Sequence, residues 1–471
     1  MDQQTKNNGI ISWIEDSVLF KLGIIGFFTL LLLIPSEWIQ SIIQERQNRQ
    51  QDVIKEISDK WSGSQLVQGP VMILPYKTLI QQKDNTGQVI YEEAISNIYI
   101  LPEALNITST ADPEVLHRGI FDAVVYNAKI KVNGKFSMLE LQKSGIDPDK
   151  ILWNKAKVAI GLSDLKGLKN NPSIKLANQQ YAVEPDFTSL KLFNNNLIIL
   201  PDLGKDRNTA LPFSFDLDLR GSSELNFLHL GKTTTVKLAG KWNNPSFTGR
   251  YLPEDRQITA TGFSASWKMP FFNRPYPQQW VAENTILNTK VQDSAIATTT
   301  ALASTNPNYD AYFGVNFLLP IDQYQKIMRT AKYSVLIILL TFISLFFTEL
   351  LNKKKVHLLQ YVLIGAAMTI YYTLLLAFSE QIGFNAAYLI ASVSTVTLVS
   401  IFIATLLRDK KPAYIFASIL TIFYTFIFVI IQLQDLALIF GSVGLFITVA
   451  ILMYLSTRID WNRRTLHEMA T

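Results

Sequence analysis

Asp216 and Asp218 stand two residues apart in "FSFDLDLR", and Glu254 is followed directly by Asp255. Paired carboxylates on one strand face can hold calcium or divide acid and base roles between them. A solvated strand face explains the same charges more simply and is the expectation for both pairs. The four histidines, His117, His229, His357 and His467, are scattered and form no HExxH, and the chain has no cysteine. Disulfides, cysteine-bound zinc and thiol catalysis are thereby excluded. "GKTTT" (231–235) imitates the end of a phosphate loop, but the glycine that should open the loop is Asn226. "GFSAS" (262–266) lacks the second glycine of a nucleophile elbow. No catalytic, cofactor or metal site is therefore expected, and the chain reads as a non-enzyme.

The elements that would position any site follow from where the apolar residues fall. The 471 residues are 48% hydrophobic and 17% charged, with a mean hydropathy of +0.17; soluble proteins carry about 25% charged residues. The apolar excess lies at 18–34 and again from 334 to 456, which marks a membrane protein with a large polar insert. The first span, Val18–Ile34, has an apolar core, Leu22–Ile34, of signal-peptide length. Pro35, Ser36, Glu37 and Trp38 follow it in place of a small-x-small cleavage site, so an uncleaved anchor between Trp13 and Trp38 is expected, with Lys21 reaching to the near face. Five further spans are expected over 333–351, 358–378, 385–407, 413–432 and 436–456.

Charge sets their orientation. Lys353, Lys354 and Lys355 fall on one side with Arg408, Lys410 and Lys411, and Arg458, Arg463 and Arg464 follow the last span there. The positive-inside rule makes that side cytoplasmic, so both termini are expected inside and residues 36–331 in the periplasm of an inner membrane. Arg329 and Lys332 then lie on the other side, where outer-leaflet phosphates are available. The net charge of +5 and pI of about 9.0 come largely from clusters beside spans, which argues against a nucleic-acid partner.

Between the spans the period changes. Residues 37–61 repeat apolar positions at near-helical spacing and read as an amphipathic stalk continuing the first span. From about 66 to 320 the period is two: Phe213, Phe215, Leu217 and Leu219 alternate with polar residues, as do Val124, Tyr126, Ala128, Ile130 and Val132. Asn133-Gly134 reads as a hairpin turn, and "QVIYEEAI", "KVAIGL", "LIIL", "TTTVKLAG" and "AYFGVNFLLP" read as strands. The expected organisation is a cytoplasmic N-terminus and anchor (1–35), a stalk helix (36–62), a β-rich, mostly antiparallel, sandwich-like periplasmic domain (63–331), a five-helix transmembrane bundle (332–456) and a cytoplasmic tail (457–471).

Two groups of residues stand out as candidate surfaces. "KWNNPSFTGRYLP" (241–253) concentrates aromatics, prolines and a glycine without any catalytic group. It reads as a corner between strands, and the parity of apolar positions flips at Gly262 as at a β-bulge. Trp242, Phe247, Tyr251 and Trp267 are candidates for the aromatic core of that corner or for a partner surface built on it. In the spans, Ser394, Thr397 and Ser400 form a hydroxyl row, with Ser392 and Thr395 beside it, and Gly441 and Gly444 are small residues three apart. Such positions let helices approach closely, or line a lipid groove. Glu349 and Glu380 are expected at interfaces.

"KWNNPSFTGRYLPEDRQITATGFSASW" (241–267) closely resembles the W-x-x-P-S-F-x-G-x-(F/Y)-L-P…GF-x-A-x-W signature of the CreD family of bacterial inner-membrane proteins. "QLVQGPVMILP" (65–75), "IDQYQKIMRTAKYSVLIILLTF" (321–342), "LLQYVLIGAAMTIYYTLLLAFSEQIGF" (358–384) and "RIDW" (458–461) extend the resemblance over nearly the whole chain. His357-Leu358-Leu359 stands where members often show His-Pro. The resemblance implies a role in cell-envelope integrity under envelope stress and brings no catalytic or binding residues with it. The expected partners are the lipid bilayer and an envelope protein or lipid-linked ligand. The competing readings are a lipid or amphiphile carrier using the span-four hydroxyls, and a membrane hydrolase using Asp216, Asp218, Glu254 or Asp255. Oligomeric state is left open.

Overall fold

The computed structural model describes residues 18–83, 89–137, 146–186, 190, 192–204, 209–282, 287, 311–319, 323–352, 356–408, 410–433 and 436–457. Trp13, Lys353, Lys354, Lys355, Arg458, Arg463, Arg464 and His467 lie outside these residues.

The expected anchor and stalk are one helix, α1 (Val18–Trp61), which runs through Pro35. Residues up to Asn48 group with 322–471 in one compact unit, and those from Arg49 group with the strands in another. In the first unit, α1 buries Ile25, Thr29, Leu32, Ser36, Ile39 and Ile43. The steps between them alternate between four and three, the seam of a helix packed at a shallow angle on its neighbours. A methyl of Leu32 lies where a Cβ on Gly365 would come within 2.2 Å of it. Ser36 and Ser334 share a 2.6 Å hydrogen bond between hydroxyls, and Arg46 Nε lies 3.9 Å from Glu380.

Six helices follow the strands: α2 (Gln323–Lys332), α3 (Ser334–Asn352), α4 (Leu358–Ile382), α5 (Phe384–Leu407), α6 (Lys410–Gln432) and α7 (Ala437–Thr457). The last four are each long and apolar enough to cross a membrane. The first of the five expected C-terminal spans is bent: α3 is an apolar helix of 19 residues, and α2 before it, at 41° to it, passes with it as one broken span. α7 has no buried residue among those described. Its close approach to α6 is at Gly444, where a Cβ would come within 2.0 Å of the Phe426 ring.

The second unit is built from two sheets. Its strands are β1 (Gln65–Lys83), β2 (Val89–Ile100), β3 (Ala104–Arg118), β4 (Phe121–Phe136), β5 (Lys157–Leu162), β6 (Ser173–Leu176), β7 (Gln179–Ala182), β8 (Glu184–Asp186) and β9 (Asn195–Ile199). β10 (Leu211–Ser222), β11 (Glu224–Leu228), β12 (Thr233–Gly240), β13 (Pro245–Gly249), β14 (Asp255–Ile258), β15 (Phe263–Met269), β16 (Gln279–Ala282) and β17 (Tyr312–Phe317) complete the set. The first sheet runs β13-β17-β11-β1-β5-β9-β8, with β2 paired to β1 and β16 to β2; the second runs β14-β15-β12-β3-β4-β10-β6-β7. Among the described residues only β1 with β11 and β3 with β12 pair in parallel.

Period-two patterning explains the layers. β10 buries Leu211, Phe213, Phe215, Leu217 and Leu219 and turns Pro212, Ser214 and Asp216 outward. One apolar core takes Val71, Ile73 and Ile160 from the first sheet and Ile107, Ile130 and Leu238 from the second. Two local expectations are corrected. Asn133-Gly134 is not a turn: both residues lie inside β4, opposite Ser214 and Phe213. Glycine serves there because a Cβ would come within 2.1 Å of the Ala104 carbonyl oxygen and 2.6 Å of the Phe213 ring. Nor is Gly262 a bulge. It closes a turn in which Thr259 N–H donates to the Gly262 carbonyl at 2.8 Å, and β14 pairs back antiparallel on β15. The parity flip is that of a chain reversal.

The seam of α1 yields a prediction. Gly365→Leu should drive Leu32 off α4 and lower the thermal midpoint of the detergent-solubilised protein. Gly441→Leu, at a site with nothing within 4 Å of a Cβ, should leave it unchanged. Equal effects in a thermal unfolding series would refute the seam.

Candidate functional site

The corner foreseen at 241–267 is a crossing between sheets. β12 runs in the second sheet, β13 adds to the edge of the first against β17, and β14 and β15 return to the second. Its chain must therefore turn sharply twice, and the aromatic side chains fill the space between the layers. Phe247 meets Trp267 and Phe263 edge-on, with ring centres 5.8 and 6.1 Å apart. Tyr251 meets Phe313, and Trp242 meets Phe317, at 6.2 and 6.4 Å. Trp267 Nε1–H donates to the Tyr251 carbonyl at 3.0 Å, and Trp242 Nε1–H donates to the Leu318 carbonyl at 3.1 Å. The Tyr251 hydroxyl donates to the Asn273 carbonyl. Gly249, at φ +90, lets β13 approach the Tyr312 carbonyl. All four candidate aromatics thus join one cluster. Trp267 is 1% exposed and out of a partner's reach, while Trp242, Phe247 and Tyr251 are half-buried.

Beside the cluster sits His229, fully buried. Its Nδ1 lies 2.9 Å from the Thr234 hydroxyl and its Nε2 3.3 Å from the Pro270 carbonyl, which assigns the ring proton to Nε2. Burial pushes its pKa down to about 4; the Pro270 carbonyl opposes this shift and the Arg274 cation adds to it. Arg274 is itself buried, donating to the Leu230 and Tyr276 carbonyls and to Gln278.

The outward side of the same crossing is open. A groove of about 840 Å³ is lined by Asp112, Asn127, Lys129, Lys169, Asp218, Lys241, Gln257, Thr259 and Thr261, with Phe263 at its floor. A second hollow of about 330 Å³ shares Thr110, Ala239, Gln257 and Ser264 with it and adds Lys237, Asp255 and Arg256. Strand register distributes the charges. Asp216 lies opposite Lys131 and Asp218 opposite Lys129 across β10 and β4. Lys241 Nζ lies 3.8 Å from Asp112, and Lys169 Nζ donates to Asn127 Oδ1 at 3.0 Å. Asp255 accepts from the Ser266 hydroxyl at 3.4 Å. The carboxylates singled out in the sequence are therefore distributed over a mixed-charge sheet face. Among the described residues no three His, Cys, Asp or Glu side chains come together as a metal site. Residues far apart in sequence build the groove, and no linear motif announces it.

In the helical unit the hydroxyl row divides. Ser392 and Thr395 are buried, whereas Ser394 and Thr397 face outward; Ser400 is half-buried, and its shielded oxygen has no hydrogen-bond partner among the described residues. Helical spacing puts 394 and 397 on the face opposite to the packed one. Gly444 takes the Phe426 ring, and Gly441 touches nothing. The interior instead holds tyrosines from three helices, with the Tyr371 ring 4.8 Å from Tyr424, 4.9 Å from Tyr372 and 6.1 Å from Tyr388. Tyr388 donates to the Tyr424 carbonyl at 2.7 Å, while the buried Tyr372 and Tyr424 hydroxyls have no hydrogen-bond partner among the described residues. Glu349 is 7% exposed and accepts from Tyr361 at 3.2 Å; Glu380 accepts from Tyr324 at 3.1 Å. Both acids expected at interfaces are thus held by protein partners.

An N-terminal apolar helix, a large two-sheet insert and a C-terminal cluster of apolar helices define a polytopic membrane protein with an extramembrane β domain. The chain belongs to the CreD family: the model described as "Inner membrane protein CreD" matches residues 17–462. A protein of Escherichia coli (strain K12) with that same name is 27% identical over 459 residues, covering 97% of this chain and 96% of its own length.

Two predictions follow from the corner. Trp267→Ala should cost about 3–5 kcal/mol as a buried-aromatic truncation, and half-buried Trp242→Ala distinctly less, read from denaturant midpoints. For His229, the folded pKa lies below the unfolded value, so the unfolded chain takes up the proton first. Its stability contribution is complete above about pH 6.5 and is lost as pH falls toward 4, a change of about 3 kcal/mol. His229→Gln should flatten stability over that window; an unchanged pH profile would contradict the assignment.

Proposed function

We propose that this chain is a non-enzymatic inner-membrane protein that contributes to cell-envelope integrity, with its β domain in the periplasm and both termini in the cytoplasm. The helices fix it in the bilayer, and the groove of the second sheet binds a polar envelope component, either a protein segment or the headgroup of a lipid-linked precursor. The groove is the observation that carries this reading. Its ammonium, carboxylate, amide and hydroxyl groups offer donors and acceptors to a polar chain, and its carboxylates sit opposite lysines, an arrangement suited to binding through charge pairs. The carrier alternative runs along the span-four hydroxyls and the bundle groove, where Ser394 and Thr397 are exposed and Ser400 is half-buried.

Because the chain has no cysteine, a single Thr261→Cys variant tests placement directly. A membrane-impermeant thiol reagent added to intact cells with a permeabilised outer membrane should label it. A photoreactive residue at 261 should then give a discrete crosslinked product that Lys129→Glu with Lys241→Glu abolishes, whereas the same probe at exposed Gln179 should give none. Labelling only after lysis would overturn the placement, and equal products from both positions would overturn the groove.

A further inference from the structure

α2 is short, but its two sides differ completely. Tyr324, Ile327, Thr330 and Ala331 are buried, and Gln325, Arg329 and Lys332 are exposed on the other side. Its buried side lies on the bundle, where Tyr324 reaches Glu380 near the end of α4. Lys326 donates to Gln432 at the end of α6 at 3.2 Å and lies 5.4 Å from the centre of the Phe384 ring. Gln432 in turn donates to Asn385 at the start of α5 at 2.7 Å. These partners are all helix-terminal residues, so the start of α2 packs at one end of the bundle. The apolar helix α3 starts two residues later, after the 41° bend. The bundle takes up the apolar side of α2, which leaves its cationic side exposed just before a strongly apolar helix begins, the position at which basic residues meet a headgroup layer.

The charge at this end selects the occupant. Glu380 is occupied by Tyr324 and Arg46, and Arg46 remains half exposed. Arg329 and Lys332 form no ion pair with any described residue and project from the exposed side. We propose that α2 is a lipid-binding helix at the bilayer interface whose Arg329 and Lys332 hold the phosphates of anionic phospholipids in the adjoining leaflet. Arginine supplies a bidentate fork for phosphate oxygens and lysine a compact point charge. This site is independent of the groove on the second sheet.

The test uses the full chain in nanodiscs of phosphatidylcholine, alone or mixed with phosphatidylglycerol. Native mass spectrometry after release should show phosphatidylglycerol retained preferentially by the unaltered protein. Arg329→Gln with Lys332→Gln should weaken that preference by about fivefold for each charge removed, and the charge-preserving pair Arg329→Lys with Lys332→Arg should retain most of it. Should the double glutamine variant fold poorly, the two single variants are read instead, each with about half the effect on a logarithmic scale. Preference unchanged in the glutamine variants, or no preference in the unaltered protein, overturns the proposal.

Discussion

The structure of the helical unit depends on one seam, along which α1 gives up its own exposure to lipid in order to pack on helices some three hundred residues later in the chain. In hydrocarbon there is no water to be released by burying leucine, so association rests on close van der Waals contact and hydrogen bonds. The seam supplies both. Leu32 fits over Gly365, and Ser36 bonds Ser334. Arg46 and Glu380 then close the same seam at a level where their charges still reach polar surroundings. The first helix is therefore a structural member of the bundle and more than a tether for the residues that follow.

The β unit solves a different problem. Two sheets of nine and eight strands must share a core without a disulfide to hold them. The chain between β12 and β15 crosses from one sheet to the other and back, and each crossing leaves backbone groups that no ladder satisfies. Indole and phenol groups meet that need in and around the crossing: Trp267 serves the Tyr251 carbonyl within it, and Trp242 and Tyr251 tie it to the Leu318 and Asn273 carbonyls of neighbouring loops. Phe in place of Trp267 would leave both a gap and a shielded carbonyl without its donor, and the unmade bond at a buried group costs more than the bond itself. This is why a stretch without catalytic side chains spends so many aromatic ones.

The same crossing joins the core to the proposed groove. Its inner side is a dry aromatic cluster that fixes the hairpin β14–β15, and its outer side is the wall of the polar groove. Lys129 and Lys131 on β4 face Asp218 and Asp216 on β10, so the groove presents both signs of charge within a few strand spacings. Such a surface can discriminate among polar ligands by register as well as by net charge. At the bundle, by contrast, the polar groups are used internally, in Tyr388, Tyr361 and Glu349.

Much of the fold was legible one segment at a time. The apolar runs at 18–34 and beyond 334, the alternation in β4 and β10, and the strands β2, β5, β9, β12 and β17 follow from which side of each segment meets water or lipid, a property written in local spacing. The reach of α1 through Pro35 was visible too, since 37–61 keeps a helical period. What the local pattern could not state was who pairs with whom. Asn133-Gly134 carries every mark of a turn, yet Phe213 from eighty residues away claims the space above the glycine and keeps the strand straight. Gly262 looked like a bulge until β14 and β15 paired. The faces of Ser394 and Thr397, the burial of Glu349 and the groove were likewise decided by packing, because each depends on atoms brought together by long-range register, where neighbours in space are strangers in sequence.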